Sequence, residues 1–279
     1  MGAGSWGTAL SVLLARNGHD VLLAGRASQE LESLRACREN LRYLPGFALP
    51  ESVEIASEES ELGQCDLWVI AVPSGAVRHA AGLVKGTTPV ILVASKGLEA
   101  VTAELMTDVA AAGAPSALVG AISGPNLALE IVQGIPTAAV VAYRALETAE
   151  FAAHAFNCRT FRVYLSADVI GVELAGALKN VLAIAAGMSD GLGFGDNTKG
   201  ALLARGLREM ILLGRAMGAR EETFMGIAGV GDLFATAVSK LSRNYRVGVA
   251  LGQGTSIAEA LQAIGQVAEG VTTSECAGV

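Results

Sequence analysis

Three polar clusters interrupt an otherwise apolar chain, and each carries groups suited to moving protons or gripping anions. Lys179 and Asn180 sit inside the run from Gly176 to Ala186, which is otherwise Ala, Leu, Val and Ile. A lysine amid that much apolar surface must snorkel to water, pair with a carboxylate, or work. Burial lowers a lysine's pKa, and a lowered lysine exchanges protons near neutral pH. Ser95, Lys96 and Gly97 follow the run VILVA at 90–94. Ligands of open α/β sheets gather at the carboxyl ends of strands, which places Lys96 to meet an anion; the plain alternative is a surface lysine in a turn. The third cluster is GVGDLFAT at 229–236, followed by Ser242, Arg243 and Asn244. Asp232 can orient a lysine or a substrate hydroxyl, and Arg243 offers a planar fork suited to phosphate. A helix cap and a surface arginine are the bland readings of those two. Together the groups imply hydride transfer on a small phosphorylated alcohol. A cofactor would carry the hydride, and the protein would supply a proton shuttle and cationic donors.

The chain opens Met1-Gly2-Ala3-Gly4-Ser5-Trp6-Gly7, a G-x-G-x-x-G pattern followed at once by a helical pattern to about Asn17. Gly2 would make a tight turn, Gly4 would let backbone approach a pyrophosphate, and Gly7 would let helix and strand pack closely. The pyrophosphate then sits on the helix N-terminus. The next strand, Val21–Gly25, ends before Arg26 rather than an acid. An acid there would bind a ribose 2′-hydroxyl, whereas an arginine accommodates a 2′-phosphate, so Arg26 favours NADP over NAD. A solvated arginine opening a helix is the alternative. AVPS at 71–74 follows another strand and brings Pro73 near the nicotinamide side, although proline there is also an ordinary helix start.

These groups need elements to hold them. Leu67–Ala71 and Val90–Ala94 are continuous apolar runs of strand length, as in strands covered on both faces. Ser116–Ile122, Thr137–Ala142 and Thr160–Tyr164 are further strand candidates. Ser28 is expected to cap a helix with Leu31, Leu34 and Leu41 on its apolar side. Strand–helix alternation argues a doubly wound α/β sheet. After Tyr164 the pattern becomes helical: one helix over Asp168–Gly187, a glycine-rich loop from Gly187 to Asp196, and a second helix over Thr198–Gly218. The expected division is a dinucleotide-binding domain over 1–164 and a helical substrate domain over 165–279. Thr272–Glu275 reads as the beginning of a last helix.

Composition agrees. The 279 residues carry 52% hydrophobic and 5% aromatic residues, 34 glycines and a net charge of −7. With no basic block, nucleic acid and anionic membrane are poor partners. The most apolar stretch, Val169–Met188, contains Glu173, Lys179 and Asn180, so it reads as a buried helix rather than a membrane span. Cys37, Cys65, Cys158 and Cys276 show no C-x-x-C spacing and read as reduced cytoplasmic thiols. His19, His79 and His154 have no partner at metal-ligand spacing, so no metal is expected.

With these motifs in hand, the chain resembles the bacterial type of NAD(P)-dependent glycerol-3-phosphate dehydrogenase. The matching segments are GAGSWGTAL at 2–10, NLRYLPG at 40–46, AVPS at 71–74, SKGLE at 95–99 and SGPNLALE at 123–130. GVELAGALKNVLAIAAG at 171–187, RGLREM at 205–210, GVGDLFAT at 229–236, SRN at 242–244 and VAEGVTT at 267–273 continue in family order. The resemblance implies a Rossmann-type domain, then an all-α substrate domain. It implies reversible oxidation of sn-glycerol 3-phosphate at C2 to dihydroxyacetone phosphate, feeding phospholipid synthesis. Lys179 matches the proton acceptor and Lys96 a lysine facing substrate and cofactor. Gly124, Asn180, Asp232, Thr236, Ser242, Arg243 and Asn244 fall in the substrate set. Ser5, Trp6, Arg26, Ala128, Arg243, Val267 and Glu269 match cofactor contacts. The expected setting is cytoplasmic, with a homodimer one option that the sequence leaves open.

Two departures accompany the resemblance. Relatives begin with an apolar strand before the first glycine and continue past VAEGVTT, so a first strand and C-terminal helices are expected to be missing and the polypeptide to be a fragment or mis-started. The rival readings are a related two-domain dehydrogenase of a hydroxy acid or ketopantoate, and a nucleotide-binding fragment without turnover.

Overall fold

The computed structural model describes residues 1–57 and 62–277. It is an α/β Rossmann-type unit followed by a helical unit. The first unit runs α1 (Ser5–Arg16), β1 (Val21–Gly25), α2 (Gln29–Cys37), β2 (Val53–Ser57), β3 (Trp68–Ile70), α3 (Val77–Gly82), β4 (Val90–Val93) and α4 (Met106–Gly113). It continues with β5 (Leu118–Ser123), α5 (Ala128–Val132), β6 (Thr137–Ala142), α6 (Leu146–Phe156) and β7 (Phe161–Ser166). The helical unit comprises α7 (Val169–Gly191), α8 (Asp196–Ala216), α9 (Glu221–Met225), α10 (Asp232–Val238), α11 (Arg243–Gly252), α12 (Ile257–Ile264) and α13 (Glu269–Ala277).

The strands form two sheets, β1-β2 and β3-β4-β5-β6-β7. Residues 1–3 run between them. Gly2 N donates to Ala24 O at 2.7 Å, while Ala71 N donates to Met1 O at 2.8 Å. Helices on both faces bury the apolar strand runs, with Leu92, Ile122, Val141, Phe156 and Phe161 central on one side. Ile70, Ile91, Val93, Met106 and Val109 fill the other.

β6 departs from the parallel pattern: it pairs antiparallel to β5, with Ala121 opposite Ala142, and β7 runs parallel to β6. The connecting α5 has only five residues, a rise of about 7.5 Å against roughly 20 Å for a six-residue strand, so the helix itself does not carry the chain back along β5. β6 begins beside the end of β5. Thr137 Oγ1 donates to Pro125 O at 2.7 Å and Asn126 Nδ2 to Ala138 O at 3.1 Å, which locks the reversal.

Three expected elements shift. α2 is capped by Ser28 Oγ, which accepts from Leu31 N, but it stops at Cys37; Leu41 lies beyond it and is exposed. α13 starts at Glu269, three residues before the expected Thr272. The glycine-rich segment from Gly187 is not a loop at its start, because α7 continues to Gly191. Those glycines are where α11 crosses. A Cβ on Gly187 would lie 2.1 Å from Tyr245 O, and one on Gly248 would lie 2.0 Å from Ile184 O. Gly191 and Gly252 make a second contact of this kind one turn on. Glycine supports helix here because bare backbones can approach more closely than any side chain permits.

α7 is the axis of the second unit. It is long and apolar enough to cross a membrane by length and composition, yet 78% of its most apolar window is buried inside the protein. Asp168 starts it: Oδ1 accepts from Gly171 N at 2.9 Å, while Oδ2 accepts from Arg220 N and Thr223 Oγ1, tying α9 to the same point.

Candidate functional site

Three elements bring the charged groups together. Lys179 comes from the middle of α7, Asp232 from the first turn of α10, and Lys96 from the segment leaving the carboxyl end of β4. Lys179 Nζ donates to Asp232 Oδ1 at 2.5 Å and to Thr236 Oγ1 at 2.6 Å. Lys96 Nζ donates to the other carboxylate oxygen at 2.6 Å and to Gly124 O at 3.0 Å. One carboxylate thus joins two ammonium groups from the two units. Thr236 sits one turn after Asp232 and donates back to Asp232 O at 2.7 Å, so the helix pitch itself places the hydroxyl beside Lys179. Ser123 Oγ approaches Asp232 Oδ2 at 3.5 Å. Gly176 makes room: a Cβ there would lie 2.7 Å from Ser123 Oγ.

Burial sets the protonation chemistry. Lys179 is 6% exposed and Asp232 1%. Burial, followed by the positive charge of Lys96, pulls the Lys179 ammonium down to about 8, against the opposing pull of Asp232. Burial pushes the Asp232 carboxyl up, but Lys179 and Lys96 outweigh it, and the group stays below its ordinary value as a carboxylate. A lysine near 8 is cationic at neutral pH yet gives up its proton within reach of physiological conditions, as an acid–base catalyst needs.

Around this triad lies an amide relay. Asn244 Nδ2 donates to Asn180 Oδ1 at 2.9 Å, Asn180 Nδ2 to Gly176 O at 3.3 Å, and Gly270 N to Asn244 Oδ1 at 3.0 Å. It ties α7, α11 and α13. Ser242 caps α11 by accepting from Tyr245 N, and Arg243 is that helix's first residue. Among the described residues the Arg243 guanidinium makes no hydrogen bond or ion pair; burial lowers its pKa and the nearby Glu269 charge opposes this. A half-buried guanidinium of this kind is suited to an anion that arrives with the ligand. Glu269 itself bridges to the first unit: Ser74 N donates to Oε1 at 3.1 Å and Ser74 Oγ to Oε2 at 2.7 Å. Pro73 precedes that contact as the cap of a short 3-10 turn, and Val267 is half-exposed nearby in sequence.

The glycine pattern has the geometry that a dinucleotide needs. Gly2 has φ +103°, and a Cβ there would lie 2.4 Å from Ala71 O. A Cβ on Gly7 would lie 1.8 Å from Gly2 O, so the turn and helix can touch only with glycine at both places. Gly4 differs, with nothing within 4 Å of its Cβ position, leaving backbone open at the start of α1. Thr8 N is the first amide to bond back, to Gly4 O, so the amides of Ser5, Trp6 and Gly7 form a positive helix end. These features fit a pyrophosphate. Arg26 is exposed directly after β1, and Ala128 begins α5. The Trp6 indole N–H is buried without a hydrogen-bond partner.

Some groups at the site were not singled out in the sequence. Ser74, Ser123, Asn126 and Glu173 lie in the matching segments without an assigned role, and Thr107 lies outside them; the fold brings Ser74 to Glu269, Ser123 to Asp232 and Thr107 to Glu173. Asn126 Oδ1 is buried with no partner beside the Gly124 turn; the SGPN run at 123–126 was the available cue.

Comparison with known proteins adds the family. The model for the NAD-dependent glycerol-3-phosphate dehydrogenase N-terminus matches residues 1–149, and that for its C-terminus matches 168–278. A glycerol-3-phosphate dehydrogenase [NAD(P)+] of Pseudomonas fluorescens is 48% identical over 98% of this chain and 81% of its own length. One from Desulfitobacterium hafniense is 43% identical over 99% and 79%. The crystal structure of glycerol-3-phosphate dehydrogenase from Coxiella burnetii superposes with a TM-score of 0.95 at 39% identity, covering 99% of this chain and 86% of that one. A ketopantoate reductase from Ralstonia eutropha shares only the fold, with a TM-score of 0.59 at 19% identity over 99% and 95%.

Proposed function

The chain belongs to the NAD-dependent glycerol-3-phosphate dehydrogenase family, and from that premise we propose that Lys179 carries the proton of its reaction, with Asp232, Lys96 and Arg243 as its supports. The protein is an oxidoreductase that uses NAD or NADP and interconverts glycerol 3-phosphate and dihydroxyacetone phosphate. The observation that carries the residue assignment is the convergence of Lys179 and Lys96 on one buried carboxylate, with Lys179 near 8.

When bound, the nicotinamide supplies the two-electron hydride exchange at C2. In the reducing direction the Lys179 ammonium donates its proton to the developing C2 alkoxide; in the oxidising direction the neutral amine takes it back. Asp232 and Thr236 hold Nζ in place through both states. Lys96 brings a second positive charge towards the same oxygen from the sheet side. Arg243, on the first turn of α11, grips the phosphate, where a bidentate fork gives direction as well as charge. The Asn180–Asn244 relay fixes α11 to α7, and so fixes the distance between phosphate and proton carrier. Gly2, Gly4, Ser5, Trp6 and Gly7 would hold the cofactor pyrophosphate, while Pro73, Ala128, Val267 and Glu269 would line its nicotinamide half. Arg26 favours a 2′-phosphate and hence NADP. Supply of glycerol 3-phosphate for phospholipid synthesis in the cytoplasm fits this reading, as do the unpaired cysteines.

The test is the initial rate of dihydroxyacetone phosphate reduction with NADPH and NADH, beside phosphate-free dihydroxyacetone. The reading requires turnover that depends on the phosphate, with NADPH preferred. Equal rates with and without the phosphate would refute the assignment of Arg243, and an NADH preference would refute that of Arg26.

A further inference from the structure

Among the described residues Glu173 forms no ion pair; it is 8% exposed and lies six residues before Lys179 on α7. It reaches into the other unit. Thr107 N donates to Oε1 at 2.9 Å, and Thr107 Oγ1 makes a short hydrogen bond to Oε2. Thr107 lies in the first turn of α4, whose own cap residue, Leu105, makes no side-chain capping bond. Glu173 therefore caps α4 from across the domain junction. A local Ser, Asp or Asn at position 105 would cap more cheaply, and an apolar side chain at 173 would avoid burying a charge. Burial pushes the Glu173 carboxyl up to about 7, Thr107 offsets part of this, and Asp108 on α4 adds to the rise. Local stability alone does not favour this arrangement.

What the bond does hold is the segment that carries Lys96. After β4 the chain passes Ser95, Lys96 and Gly97, makes an excursion whose base is the Leu98–Leu105 bridge, and re-enters at Thr107. Leu98 and Leu105 pack into the core of the helical unit with Leu174 and Leu178. Arg78 fastens the base of the excursion from the other side, pairing with Glu99 and Glu104 beside the bridge. Glu173 and Lys96 line one cavity of about 10 Å³, together with Ser123 and Gly176 among others. We propose that Glu173 is a positioning residue: by clamping Thr107 it fixes the Lys96 segment to the helix bearing Lys179, and so sets the spacing of the two lysines across Asp232. The inference rests on the dehydrogenase reading of the same site.

The experiment compares Glu173→Ala, Glu173→Gln and Thr107→Val with the parent protein. It reads kcat and KM for dihydroxyacetone phosphate well below each melting temperature, and hydrogen exchange of the segment 95–107. Glutamine can accept from Thr107 N and donate to its hydroxyl, so it keeps the clamp without the charge. Expected are a kcat loss of roughly tenfold or more in Glu173→Ala with cofactor KM little changed, kcat within about threefold of the parent in Glu173→Gln, and faster exchange across 95–107 in the alanine and valine variants but not in the glutamine variant. Should Glu173→Ala fail to fold, Thr107→Val carries the test, with an expected kcat loss of several-fold and faster exchange. Equal losses in the glutamine and alanine variants, or parental kcat in the folded alanine or valine variant, would overturn the proposal. Absence of turnover in the parent would sink the dehydrogenase reading alone. Exchange judges the clamp without turnover, and parental exchange in Glu173→Ala, or in Thr107→Val where the former does not fold, overturns it.

Discussion

Asp232→Asn changes one atom type between two lysines, and its effect can be worked out in advance. The carboxylate oxygens lie 2.5 and 2.6 Å from Lys179 and Lys96 Nζ. At an effective dielectric of about 20, a charge pair about 4 Å apart between centres is worth roughly 4 kcal/mol. That corresponds to about 3 pKa units, of which the asparagine dipole returns part. Lys179 would then drop from about 8 to between roughly 5 and 6. The direction is fixed because burial and Lys96 already pull it down and only Asp232 holds it up. At pH 7 about nine-tenths of the parent lysine is protonated, against between a hundredth and a tenth in the variant. Reduction of dihydroxyacetone phosphate, which needs the ammonium, would slow at least tenfold from protonation alone and about a hundredfold once lost orientation is added. The assay is kcat/KM for reduction from pH 6.5 to 9. The parent should hold level and fall above about 8; Asp232→Asn should fall tenfold per unit across the whole window. A variant that is merely slower, with its break still near 8, would refute Asp232 as the group that sets this lysine.

Three further outcomes follow from the same contacts. Lys179→Ala should lower kcat by about 10²-fold or more in both directions, and a near-parental rate would remove it from the reaction. Arg243→Ala should raise KM for dihydroxyacetone phosphate by tenfold or more while leaving turnover of dihydroxyacetone unchanged, since a charge-assisted phosphate bond is worth about 1.5–3 kcal/mol; equal effects on both substrates would argue against a phosphate role. Gly248→Ala must force α11 off α7, because the new methyl would meet Ile184 O at 2.0 Å; about 3 kcal/mol of destabilisation is expected. Gly200→Ala on exposed α8, with nothing within 4 Å, should instead add about 0.5–1 kcal/mol, and calorimetry of the pair reads the opposite signs.

Much of the site was legible because its chemistry forces unusual residues into view. Lys179 stands out in an apolar run, and the Gly2–Gly7 spacing reflects contacts of 1.8 to 2.4 Å that no side chain could occupy. Strand runs such as Thr137–Ala142 were legible because both faces are covered, which leaves no polar alternation to confuse them. The direction of β6 was not, since it is held by contacts such as Thr137 to Pro125 and Asn126 to Ala138, and hydrophobic pattern holds no record of those. The end of α7 was hidden for a related reason. Gly187 and Gly191 read as loop residues by propensity, yet their glycines answer to a helix 60 residues further on. Propensity is a local quantity, and tertiary contact overrides it wherever backbone touches backbone.

Glu173 shows the limit most clearly. In sequence it is one acidic residue in an apolar run, and its most economical use there was to argue against a membrane span. Its meaning comes from Thr107, 66 residues earlier. Because its folded pKa is raised to about 7 from an ordinary 4.5, its contribution to stability is greatest below pH 4.5 and is lost as pH rises through 7. The 2.5-unit rise amounts to about 3 kcal/mol at most. Glu173→Gln removes that titration, so the melting temperature of the parent should fall relative to the variant's by several degrees between pH 5 and 8.5. If the gap between the two stays constant over that range, the carboxyl is not buried in the manner described, and the cost that makes its presence informative disappears with it.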